Sequence, residues 1–178
     1  METTKSASTV SLPLDRDMFL RTLIRELAGV LEEVVGYEEA AGYVSLVGQN
    51  IGEWMNEMYK KEMGASSLSR SQVADVLVDL KSRIQGAFTV ASQDDTKIVL
   101  ENTACPFADK VQDRPSMCMM TSNVFGVIAA ENLGYAKVVL EKTFAKREDR
   151  CRVVVYLKPS DEADAATGRE YFVTKDDR

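Results

Sequence analysis

The chain contains no histidine in its 178 residues. That removes the commonest general base and the commonest neutral metal ligand. A Ser-His-Asp triad and a Cys-His pair are both excluded. Proline is scarce, with four residues, and tryptophan occurs once. No apolar run approaches the roughly 20 residues that cross a bilayer, so no membrane partner is expected. The opening METTKSASTVSLPL lacks the apolar h-region of a secretory signal. Positive charge is not in excess: 22 Lys and Arg face 28 Asp and Glu, for a net charge of -6. A nucleic-acid surface normally shows a basic patch, so no direct nucleic-acid contact is expected. Neither a P-loop nor a dinucleotide GxGxxG is present.

What is there reads as one soluble globular domain. Hydrophobic residues make up 45% and charged residues 28%, the balance of a chain that buries a core. Residues 1–12 are small and polar and read as a disordered lead-in, followed by a single domain over residues 13–175. Three cysteines is an odd count, and nothing points to export. A cytoplasmic chain with reduced thiols is the expectation.

The first half has helical periodicity. Phe19, Leu20, Leu23, Ile24, Leu27, Val30, Leu31, Val34 and Val35 recur at spacings of three and four, which predicts a helix with one broad apolar face, capped by Asp15 or Asp17. That face is wide for a helix packed on one side only, which points either to a homodimer built on it or to a helix that is simply well buried. A second helix is expected from about Glu38 to Met63, with Gly42, Gly48 and Gly52 along it. These glycines either let two helices approach closely or loosen the winding. Ser69 begins a third helix with an inner stripe of Val73, Val76, Leu77, Leu80 and Ile84, ended by Gly86.

The period then changes to alternation. Ala87 to Ala91 and Lys97 to Leu100 read as strands around the turn SQDDT. Thr121 or Ser122 is a candidate cap for a fourth helix that stops at Gly134. Ala136 to Phe144 and Cys151 to Leu157 read as β-branched strands, and Glu170 to Thr174 as a short edge strand. The fold class is therefore α+β: N-terminal helices followed by a small antiparallel sheet with one further helix.

All three cysteines, Cys105, Cys118 and Cys151, fall in the stretch from Glu101 to Cys151. Their separations, 118 minus 105 and 151 minus 118, are 13 and 33 residues. Close CxxC pairs are the usual mark of a metal site, and buried free cysteine often only fills space. Two features point beyond packing. Cys105 precedes Pro106 and Phe107 at a strand exit, where a loop turns around a site. Cys118 sits among Met117, Met119 and Met120 just before the fourth helix, where a thiolate is favoured. Cys151 begins an apolar strand and is expected to pack. Asp109, Glu131 and Glu141 are the candidate carboxylates; Glu131 either projects inward, where it needs a partner, or lies on the wet face of its helix, the slightly favoured reading.

The segments CPFADKV, RPSMCMMTSNVFGVIAAENLGYAKV, CRVVVYLKP and GREYF resemble the methanogen output domain 1 family, and VGQNIGEWMNEMY and VADVLVDLKSRIQGAF extend the likeness over nearly the whole chain. That family occurs mostly as a sensory or output module in signalling proteins, often beside kinase or receiver domains. More distantly the chain is similar to vinyl-4-reductase-like sensor domains, including those of transcription activators. The metal pattern of that wider group has a cysteine before a helix, a glutamate on a strand, a cysteine three residues later and a cysteine after a charged turn. Cys118, Glu141 and Cys151 match the first, second and last positions. Phe144 stands where the third would be, so the resemblance implies Cys105 as its replacement. The implied metal ligands are thus Cys105, Cys118, Cys151 and Glu141, for zinc or an iron–sulfur cluster.

Three readings follow. The first is a signal-sensing regulatory domain with a cysteine-lined site for a metal centre or small ligand, acting as a dimer and passing its signal to a kinase or transcription regulator. The second is a small metal- or thiol-dependent enzyme, less favoured because no complete catalytic constellation is present. The third is a structural adaptor with inert cysteines.

Overall fold

The computed structural model describes Ala7 and residues 10–173. The expected disordered lead-in therefore lies largely outside the described residues, as does Thr174 at the end of the expected edge strand.

Three helices come first. Helix α1, Arg16–Val35, starts at Asp15, whose carboxylate accepts from the Met18 N–H at 2.7 Å. Helix α2 is Tyr37–Met63 and α3 is Arg70–Ser82. A capping box opens α3: Ser69 Oγ accepts from the Gln72 N–H, and Gln72 accepts from the Ser69 N–H. Strands β1, Phe88–Gln93, and β2, Lys97–Asn102, form a hairpin. Helix α4 is Cys118–Leu133, followed by β3, Tyr135–Lys142, β4, Cys151–Tyr156, the short α5, Asp161–Ala165, and β5, Arg169–Phe172. The sheet runs β1-β2-β4-β3-β5 with every neighbouring pair antiparallel. The fold is α+β, as the change of period predicts.

The boundaries differ from the sequence reading in informative places. Helix α3 ends at Ser82, not at Gly86, and Ile84, read as part of its inner stripe, is 44% exposed. Helix α4 begins at Cys118, three residues before Thr121. A 3-10 turn, Pro115–Met117, feeds straight into it and leaves Thr121 and Ser122 inside the first turns. Their hydroxyls serve tertiary contacts: Thr121 accepts from Lys81 at 2.8 Å, and Ser122 bonds the Tyr171 hydroxyl at 2.9 Å. Helix α5 has no apolar periodicity and is absent from the sequence reading.

The core lies between the sheet and the layer of α3 and α4. Leu77, Leu80, Phe125, Ile128, Ile98, Leu100, Val153 and Val155 meet there, all fully or nearly fully buried. Helix α2 packs over α4. A Cβ on Gly48 would come within 2.9 Å of the Asn123 Cβ, and one on Gly52 within 3.1 Å of the Val127 Cβ. Close approach, not loose winding, explains these two glycines. Gly42 meets nothing within 4 Å. Helix α1 is outermost. It contacts the interior through Ala28 and Gly29, while Phe19, Leu23, Leu27, Val30 and Val34 are exposed.

Candidate functional site

One small cavity, of about 70 Å³, opens between α3, the start of α4 and the ends of β2 and β4. Cys105, Cys118 and Cys151 all line it, together with Lys81, Phe88, Asn102, Thr121 and Thr143. Strand alternation explains part of this. Asn102 pairs with Cys151 across β2 and β4, on the helix-covered side with Leu100 and Val153. Cys118 comes from the first turn of α4. Cys105 comes from the loop after β2, which α1 holds down. Arg25 Nη1 donates to the carbonyls of Lys110 and Gln112 at 2.7 and 2.8 Å. The Ser116 hydroxyl donates to the Glu32 carboxylate.

The loop is shaped around its sulfur. Phe107 is right-handed, with φ -88° and ψ -4°, and Ala108 is left-handed, with φ +49°. Successive residues in those two conformations turn their N–H groups into an anion-binding concavity. Burial pushes the Cys105 thiol above its ordinary pKa, and the N–H groups of Phe107 and Ala108 pull the other way. Burial likewise raises Cys151, opposed by the Phe144 N–H and the Asn102 amide. Cys118 is pushed up to about 12, first by burial and then by the neighbouring thiols, against the Thr143 hydroxyl and Lys81. Burial thus opposes the thiolate that a helix start favours. All three cysteines are free thiols.

The side chain that the sequence reading missed is Lys81. It is buried, and its Nζ lies 5.4 Å from the Phe125 ring centre and 5.9 Å from that of Phe88. Burial lowers its pKa to about 8, and the three thiols oppose the shift. The signal was present in the sequence. Val73, Leu77 and Lys81 stand four residues apart, so Lys81 continues the inward column of α3.

The carboxylates are elsewhere. Glu141 is exposed on the opposite face of the sheet, where it accepts from Arg152 Nε at 2.9 Å. The cavity lining contains no aspartate or glutamate. Asp109 is exposed and lies 3.3 Å from Lys110 Nζ. Glu131 is half-buried on α4, not on a fully wet face. The structure thus gathers the three cysteines around one cavity and leaves Glu141 outside it. Among the described residues no group of three or more cysteine, aspartate or glutamate side chains is arranged to hold a metal ion. The donor chemistry still suits a soft or borderline metal, because thiolates are its preferred ligands. The nest at Cys105 and the donors at Cys118 and Cys151 are the outer-shell contacts such sulfurs take.

The family model described as methanogen output domain 1 matches residues 23–156, a span that runs from within α1 to the end of β4 and includes all three cysteines. The chain belongs to the methanogen output domain 1 family. None of the curated protein sequences compared with this methanogen output domain matches it. Solved structures share its fold at low identity. A trafficking protein particle complex subunit 3 from Naegleria fowleri, covalently bound to palmitic acid, has a TM-score of 0.59 at 14% identity, covering 80% of this chain and 95% of that one. The phenol-responsive sensory domain of the transcription activator PoxR, with phenol, has a TM-score of 0.61 at 13% identity, covering 86% of this chain and 81% of that one. No helix among the described residues is long and apolar enough to cross a membrane.

Proposed function

We propose that this methanogen output domain is a sensory module of a regulatory system, and that the thiol-lined cavity is its sensing site. The observation that carries the reading is the convergence of Cys105, Cys118 and Cys151 on one cavity beside a buried Lys81. Family membership and the fold shared with a phenol-responsive sensory domain support it. A kinase or a transcription regulator is the natural recipient of the signal, and a reducing cytoplasm suits three free thiols.

The three cysteines are the proposed ligands of a metal centre, zinc or iron–sulfur, with Glu141 left to its ion pair with Arg152. Loading then requires the thiols to lose protons that burial now holds on them. Metal analysis of protein purified without oxygen tests this. Brown colour with iron and sulfide indicates a cluster, and colourless protein with one zinc per chain indicates a zinc site. Metal-free protein, unchanged after incubation with zinc or after cluster reconstitution, overturns the metal part and leaves a thiol-lined ligand pocket.

The signal leaves through a homodimer formed on α1. Its support is the row of exposed apolar residues on that helix, among them Leu27 at 62% and Val34 at 75% exposure. Scattered apolar residues are normal on a surface, but a continuous row marks an interaction site. Light scattering at micromolar concentration should give twice the chain mass. The double variant Leu23→Asp, Leu27→Asp should give the monomer, and a monomeric wild type defeats the dimer.

A further inference from the structure

We propose that the cavity is a receptor site for a small carboxylate, which sits against the Lys81 ammonium and presents a short apolar tail to the surrounding walls. The inference rests on the cavity being the sensing site, and it concerns the metal-free protein, whose cavity is open and whose cysteines are free thiols.

The argument begins with charge. Lys81 is buried, and the lining of the cavity beside it holds no aspartate or glutamate. The titratable groups that face it are Cys105, Cys118 and Cys151, all free thiols. An ammonium has three N–H donors. Among the described residues Thr121 Oγ1 is the one hydrogen-bond acceptor on Lys81, at 2.8 Å. The faces of Phe125 and Phe88 supply further stabilisation, but a ring face replaces only part of a counter-ion. A buried cation without an anion is costly.

The remaining polar groups at the cavity point to the same ligand. Thr121 accepts from Lys81, so its own hydroxyl proton is available to an acceptor. The thiols are weak S–H donors. The site therefore offers an ammonium, a hydroxyl and thiols, all able to donate, and no acid to receive them. A carboxylate completes it, since charge-assisted hydrogen bonds are about twice as strong as neutral ones. The rest of the lining, including Phe88, Leu140 and Val153, is apolar and takes the tail.

Volume sets the size. The cavity is about 70 Å³, roughly half of the ~150 Å³ that admits benzene in an engineered protein cavity. A two- or three-carbon acid fits, and an aromatic ring does not. This separates the site from the phenol that the PoxR domain carries.

The test uses the full chain in reductant and chelator, so that bound metal plays no part. Melting temperature is followed with sodium acetate, propionate, butyrate and benzoate, with sodium chloride at equal ionic strength and with the neutral propionamide. Propionate at millimolar concentration should raise the melting temperature by at least about 2 °C. Chloride, propionamide and benzoate should not. Titration calorimetry should give saturable binding of propionate, weakened at least tenfold in Lys81→Met and less in Thr121→Val. The second variant keeps the ammonium, so the two rank the contacts even if one of them folds poorly. No heat and no shift with any short acid overturns the proposal. So does an equal response to chloride, or propionate affinity unchanged in a folded Lys81→Met. If propionate binds but regulatory output in the parent system ignores it, the carboxylate site stands and the sensing role falls.

Discussion

The two faces of one sheet treat charge in opposite ways. On the outer face Arg152 donates to two carboxylates, Glu101 at 2.8 Å and Glu141 at 2.9 Å, and all three groups reach solvent. On the helix-covered face Lys81 is buried among aromatic rings and thiols, beside a cavity with no carboxylate in its lining. The outer arrangement is cheap and stabilises little, because water already solvates its charges. The inner one is expensive, and a fold that carries it needs a compensating gain. Perturbed groups in a cavity are candidates for function for that reason. The comparison teaches that the polar residues to examine are those whose environment opposes them, more than those whose partners are obvious.

The largest expected effect lies on the inner face. Phe125 is fully buried and meets Phe88 edge-on at 5.3 Å. Phe125→Ala should cost about 3–5 kcal/mol, the loss of a large buried side chain plus the cavity left behind. Urea unfolding measures it, and a loss under about 1 kcal/mol would mean that this side of the sheet is loosely packed. Lys81→Met should move the other way. It keeps the apolar stem and removes the buried charge, so the metal-free, ligand-free protein should gain about 1–3 kcal/mol. A clear destabilisation would break the comparison, because it would show that Lys81 is well compensated as it stands.

Much of the fold follows from local rules. Asp15 and Ser69 announce their helices as side-chain caps, and the change from helical period to alternation separates the helices from the sheet. The convergence of three cysteines was less accessible. It depends on β2 pairing with β4, which sets Asn102 against Cys151, and on α1 pinning the loop that carries Cys105. Neither contact leaves a trace in local spacing. The position of Glu141, by contrast, was legible. Leu140 faces the cavity, and Val139 packs on the outer side with Val99 and Val154. Alternation predicts Glu141 on the side of Val139, and although the β3–β4 pairing shifts at Glu141, its bond from Arg152 holds it there. Family resemblance pointed to Glu141 for its place in a pattern, and the pleat pointed away from the cysteines. Lys81 was equally legible as a polar residue in an apolar column. The start of α4 was not, because the 3-10 turn at Pro115–Met117 replaces the side-chain cap that would mark it.

Arg152→Met sharpens the outer side of the comparison. The arginine side chain is 36% exposed, and Glu101 and Glu141 are 31% and 42% exposed. Its loss should cost no more than about 1 kcal/mol, since exposed pairs are worth little and a methionine stem still covers neighbouring apolar surface. Metal uptake, if the protein shows any, should be unchanged in this variant and in Glu141→Gln, because both side chains lie across the sheet from the thiols. Reduced uptake in Glu141→Gln would bring that carboxylate back as a ligand. It would also require β3 to turn its end over.

The smallest effect is expected at Glu162, on the same outer face. Its carboxylate accepts from Lys97, and this contact holds the carboxyl below its usual pKa. Glu162 holds Lys97 above its usual value in return. A depressed carboxylate contributes stability above its unfolded pKa and loses it as pH falls through the folded one. The pair should therefore act at neutral pH and fade below about 4, the ordinary glutamate range. Glu162→Gln should lower the melting temperature by no more than about 2 °C at pH 7. That gap should close as the pH is taken down from 5 to 3. The cavity should behave differently over the same interval. Lys81 stays charged and the three thiols stay neutral from pH 7 to pH 4, and the lining has no carboxylate to change state. The melting-temperature difference between Lys81→Met and wild type should accordingly be constant while the Glu162 difference vanishes. A Lys81→Met difference that collapses below pH 5 would mean that a carboxylate reaches the cavity in solution, and the contrast between the two faces would no longer hold.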